Sequence, residues 1–191
     1  MIEFKLKNTL LRLDFSFFAV VALFLFLDSS GFGLAALTAC AVHELSHLAV
    51  MTAFGIAPEA VTFYGAGIRI SSARTEYAAM TARVLILAAG CAANFTAAAL
   101  FWISGQLPAA AINLFTGIFN LLPIGELDGA ALLKTLFIRL CRPENVDRCM
   151  KLSGLISAAL VMIAVITAGG GVSFTLVTTA LYIIIVSSRE L

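Results

Sequence analysis

Phe32-Gly33-Leu34-Ala35-Ala36-Leu37-Thr38-Ala39-Cys40-Ala41-Val42-His43-Glu44-Leu45-Ser46-His47-Leu48-Ala49-Val50-Met51-Thr52-Ala53-Phe54 is an apolar run with two histidines and a glutamate in its interior. Coiled as a helix at about 1.5 Å per residue, such a run covers the ~30 Å of a bilayer's hydrocarbon. A charged side chain at the centre of a span costs about 2.5 to 3.5 kcal/mol or more, so ionisable groups persist there where they do something. These are the only two histidines in the chain.

The surrounding sequence has the same solvent in mind. Of 191 residues, 61% are hydrophobic and 12% charged, with a mean hydropathy of +1.04. The charged share is roughly half that of a soluble domain. The net charge of +1 gives no basic field, so nucleic acid is not an expected partner. Six apolar segments emerge, at residues 10–27, 32–54, 80–103, 108–122, 152–168 and 174–187, the fourth short and ended by Pro123. They predict an all-α integral membrane protein of about six transmembrane helices with a broken fourth span. With the N-terminus inside, all 12 Lys and Arg fall on one side, and the three opposite connections carry none. That bias predicts both termini in the cytoplasm. The N-terminal run also resembles a signal peptide, but Asp28-Ser29-Ser30-Gly31 makes a poor cleavage site. Cys40, Cys91, Cys141 and Cys149 fall within spans or on the cytoplasmic side, which predicts no extracellular disulfide framework. No repeat or linker divides the chain, so residues 1–191 are expected to form a single domain.

His43-Glu44-Leu45-Ser46-His47 is an HExxH pattern. On a helix, residues four apart lie on one face, so both imidazoles can reach one metal ion, and the adjacent carboxylate can handle protons of an attacking water. The chemistry is that of a metalloprotease with Glu44 as general base, and two histidines plus a carboxylate make Zn2+ the default metal. A catalytic zinc takes three protein ligands and keeps one position open. Glu126 and Asp128 are the carboxylates available for the third place. They follow Pro123 and lie between the permissive Gly125 and Gly129, which predicts a helix break from which a side chain can turn inward.

HExxH followed two spans later by Asn120, Pro123, Leu127, Asp128 and Gly129 in an NxxPxxxLDG pattern resembles the site-2 protease family of zinc intramembrane metalloproteases. The resemblance implies Asp128, rather than Glu126, as the third ligand beside His43 and His47. It implies that Asn120 engages the substrate backbone. Gly90-Cys91-Ala92-Ala93-Asn94 is similar to the family's GPxxN element, with Cys91 where proline is usual. The matching motifs lie within residues 32–129, and the layout looks most like the compact six-span branch that includes a sporulation protease releasing a membrane-tethered sigma factor. Relatives commonly carry PDZ or CBS domains, and neither is recognisable in these residues. The implied setting is a bacterial cytoplasmic membrane. The implied partners are a transmembrane or membrane-tethered polypeptide substrate and the lipid bilayer, with a homo-oligomer or regulatory membrane partner as further candidates.

Around this centre, Gly90, Asn94 and Ala98 repeat every four residues, a spacing that lets helices approach closely; packing alone accounts for the glycine. Asn94 is an amide in an apolar span, able to orient substrate or water or to bond between helices. Asn113, Thr116 or Gly117, and Asn120 form a stripe that should face protein or water. Cys40 shares the His43 face but reads as a small packing residue, because a thiolate ligand would close the open metal position. Residues 59–72 carry two β-rich arms around Gly65-Ala66-Gly67, a candidate membrane-associated β-hairpin that could hold an extended substrate by strand addition at Gly65 and Gly67. Two other functions compete: a catalytically silent relative that binds membrane proteins, and a metal transporter. The first would be free to lose Glu44, and the second should string ligands along several helices.

Overall fold

The computed structural model describes residues 1–6, 9–28, 31–65 and 67–167; the apolar segment expected at 174–187 lies outside the described residues. The chain falls into two compact units, Met1–Ile118 and the part that starts at Phe119.

The first unit opens with strands. β1 (Ile2–Leu6) pairs antiparallel with β2 (Thr9–Leu13), placing Glu3 opposite Arg12, whose Nε donates to the Glu3 carboxylate at 3.0 Å. β2 runs parallel to β3 (Ala60–Tyr64), and β3 antiparallel to β4 (Gly67–Ser71). The order β1-β2-β3-β4 leaves β1 and β4 as edges. The all-α expectation is therefore corrected: a four-stranded sheet joins the N-terminus to the connection after the second apolar segment. The reason is non-local. Residues 10–13 read as the start of an apolar span, but their backbone groups are taken by β1 and, some 50 residues later, by β3, a pairing that no local pattern announces.

What was expected as one span at 10–27 is thus a strand, a break at Asp14, and helix α1 (Phe15–Leu27). Asp14 Oδ1 accepts from the Ser16 amide at 2.8 Å and its hydroxyl at 2.6 Å, which satisfies free donors of the first turn. At 13 residues α1 rises only about 20 Å, less than the hydrocarbon thickness. α2 (Phe32–Ala53) and α4 (Met80–Ile103) match their expected segments and are long and apolar enough to cross a membrane. Between β4 and α4 lies a single turn, α3 (Ala73–Glu76), and after α4 comes the shorter α5 (Leu107–Asn120). Asp28 starts α2 by accepting from the Gly33 amide at 2.8 Å.

α2 and α4 pack on each other along matched stripes. Ala39, His43, His47 and Met51 are buried on α2, and Ala82, Ile86, Gly90, Asn94 and Ala98 on α4, each spaced four residues apart. Small residues along the α4 stripe let the backbones approach. Leu34 and Leu45 on α2, and Leu100, Trp102 and Ile103 near the end of α4, are exposed. A soluble protein hides such residues, whereas hydrocarbon solvates them, so these helices are built for a membrane.

In the second unit the chain leaves α5 at Asn120, turns through Gly125 at φ 57°, and re-enters a helix, α6 (Asp128–Leu140), which packs against α7 (Pro143–Thr167). The break expected around Pro123 is present. The connection expected at 123–151 is itself mostly helical, because α6 and the first turns of α7 occupy it. At the α6–α7 corner the Cys141 and Cys149 sulfurs lie 3.9 Å apart.

Candidate metal centre

The α2 stripe places His43 and His47 one turn apart, with 4% and 7% of their surface exposed. Their Nε2 atoms face each other at 3.2 Å. Each Nδ1 points away into a hydrogen bond: His47 Nδ1 lies 2.7 Å from the Ile86 carbonyl oxygen, and His43 Nδ1 2.7 Å from Asn94 Oδ1. Both partners are acceptors, so each Nδ1 carries the ring hydrogen and donates it. The two Nε2 atoms then face one another, the arrangement in which both can ligate a single cation. Nitrogens bound tetrahedrally about 2.0–2.1 Å from zinc stand about 3.3 Å apart, so the observed spacing fits one zinc ion. Metal-binding histidines usually donate the second ring N–H to a carbonyl or a similar acceptor, as both do here.

Gly90 of α4 lies directly against the two rings. A Cβ placed on it would stand 2.5 Å from His43 Cε1, 2.5 Å from His47 Nε2 and 2.6 Å from His43 Nε2. Packing between helices, the explanation offered by spacing alone, is therefore incomplete: the missing side chain makes room for the ring nitrogens themselves. Cys91, the departure from the GPxxN pattern, is buried and has its sulfur within 4.8 Å of a His43 ring nitrogen. Cys40 is exposed. Glu44, half-buried, follows His43 directly on α2.

Asn94 has no exposed surface. Besides accepting from His43, its Nδ2 donates to the Ala39 carbonyl and to Asn113 Oδ1, each at 3.1 Å. Its side chain holds His43. Gly65 donates its amide to Ser16 Oγ at 2.9 Å, and a Cβ there would meet Ser16 and Val20 of α1, so this glycine seats the β3–β4 turn on α1. Gly67, at φ 136°, begins the edge strand β4. In the second unit, Asn120 ends α5 and Asp128 is the first residue of α6. Gly129 is enforced by its surroundings, since any Cβ there would run into the backbone carbonyl of Leu121.

No protein-family model matches the chain, and no curated protein sequence does. Among solved structures it is similar to a site-2 protease from Methanocaldococcus jannaschii, with a TM-score of 0.63 over 99% of this chain and 94% of that one, at 18% sequence identity. The fold is that of a site-2 protease.

Proposed function

We propose that this chain is a zinc-dependent intramembrane protease that hydrolyses a peptide bond in or beside a transmembrane segment of another polypeptide. The observation that carries the reading is the pair of Nε2 atoms 3.2 Å apart, each turned toward the other by a hydrogen bond from its own Nδ1. His43 and His47 hold the metal, and Asp128 is assigned as third ligand on its LDG context and its position just after a helix break. Zinc, when bound, supplies Lewis acidity that polarises the scissile carbonyl and lowers the pKa of water to about 7.

Water attacks the carbonyl directly, so no acyl-enzyme forms, and Glu44 takes the proton of that water and gives it to the leaving amine. The exposed apolar residues of α2 and α4 support a reaction beside lipid, where a substrate helix must unwind to present its carbonyl. Asn120 is assigned to the substrate backbone. The outer edge of β4, beginning at Gly67, offers main-chain groups to an extended segment. Asn94 and Gly65, whose hydrogen bonds run inside the fold, support the site from behind. A membrane-tethered regulatory polypeptide, such as a sigma-factor-related one, fits as substrate, with a bacterial cytoplasmic membrane and cytoplasmic termini as the setting.

The test is a purified protein in lipid vesicles with a single-span substrate. Cleavage should stop with a zinc chelator and return with zinc. Glu44→Gln should keep its zinc and lose about 10²-fold or more in rate. A Glu44→Gln variant with full activity, or cleavage indifferent to chelation, would remove the reading.

A further inference from the structure

Zinc can use His43 only through a bare Nε2, so the ring must keep its hydrogen on Nδ1. That requirement depends on which end of the Asn94 amide faces the ring. An oxygen there accepts from Nδ1–H; an NH2 there would instead favour the tautomer with hydrogen on Nε2, which cannot ligate. His47 has no such ambiguity, because its partner is a backbone carbonyl.

The Asn94 amide is oriented from its far side. Its nitrogen donates to two oxygens, the Ala39 carbonyl and Asn113 Oδ1, each at 3.1 Å. Turned over, its oxygen would face both of those oxygens, in a place with no exposed surface. A buried polar group left without a partner is disfavoured, because it has given up water and gained no bond in return. Asn113 is oriented in turn: its Nδ2 donates to the Ala109 carbonyl at 3.0 Å, one turn earlier on α5, which leaves its oxygen toward Asn94. Polarity thus passes from a fixed backbone carbonyl on α5 through two amides to the imidazole on α2.

We infer that Asn113 is a positioning residue that, together with the Ala39 carbonyl, holds Asn94 in the orientation that keeps His43 in its metal-binding tautomer, so that α5 bears on the centre by way of Asn94. The inference rests on the metal reading of His43, but its first readout does not. With two histidines in the chain, 15N-histidine labelling of the metal-free protein gives two rings, and His47 serves as the internal control. Wild-type His43 should carry hydrogen on Nδ1. Asn113→Leu, and Asn113→Ala in case the bulkier change does not fold, should shift His43 toward the Nε2–H tautomer, leave His47 unchanged, and weaken zinc binding about 10- to 100-fold.

A carboxylate has oxygen at both ends. In an Asn94→Asp background, adding Asn113→Leu should therefore leave the His43 tautomer and the zinc affinity as they are in Asn94→Asp alone. An unchanged His43 tautomer in both Asn113 variants would overturn the inference, and so would an equal loss of zinc affinity in the two backgrounds, which marks a merely structural role. A protein that binds no zinc, yet shows His43 responding to Asn113 as described, would support the relay and dismiss the metal reading alone.

Discussion

At the residue scale, one glycine shows how tightly this centre is drawn. Gly90 stands where any Cβ would come within 2.5–2.6 Å of three imidazole atoms. Gly90→Ala must push the rings apart or the helices open, and overpacking of this kind costs about 1–3 kcal/mol. We expect Gly90→Ala to keep its helical circular dichroism and to bind zinc about 5- to 150-fold more weakly in a competition titration, since 1.4 kcal/mol is a factor of ten. Affinity equal to wild type would mean that the rings have slack. The HExxH spacing was enough to place His43, Glu44 and His47 on one helix. It could not supply the partners of the Nδ1 atoms, because Ile86 and Asn94 lie 39 and 51 residues from the histidines they hold. Asn94 was visible as an amide out of place in an apolar span. Its role became legible only with the fold, as did that of Asn113.

At the scale of elements, legibility followed hydrophobic length. The helices α2 and α4 are continuous apolar runs, and their ends fall at or next to the expected ones. The N-terminal strands were hidden because residues 10–27 are apolar throughout, and only the parallel pairing with β3 makes the first part a strand. Pro123, Gly125 and Gly129 announced the break between α5 and α6, and each glycine has a specific cause: Gly125 supplies a positive φ, and Gly129 gives way to the Leu121 carbonyl. Because that neighbour is backbone, it cannot rotate aside. Gly129→Ala should therefore destabilise the 121–129 turn by about 3 kcal/mol, the upper part of the usual overpacking range. Limited proteolysis or hydrogen exchange should find that turn opened. Protection identical to wild type would contradict the close approach at Leu121.

For the whole molecule, solvent is the organising fact. Among the described residues, two helices long and apolar enough to cross a membrane expose large apolar residues, and the polar groups His43, Asn94 and Asn113 bond to one another inside the fold. Such a chain should remain with the membrane after alkaline carbonate washing and leave it only with detergent; release by carbonate would contradict the lipid-facing assignment. Site-2 protease architecture at 18% identity fits a fold maintained by helix packing and backbone contacts more than by individual side chains. The claim on which the functional reading depends is that the two histidines of α2 grip one metal ion. Zinc analysis with X-ray absorption on the purified protein tests it most directly. One zinc per chain, with two imidazole nitrogens about 2.0–2.1 Å away and the metal lost in His43→Ala and in His47→Ala, is the predicted result. Zinc that stays in both variants, or no metal in wild type after zinc loading, would contradict it.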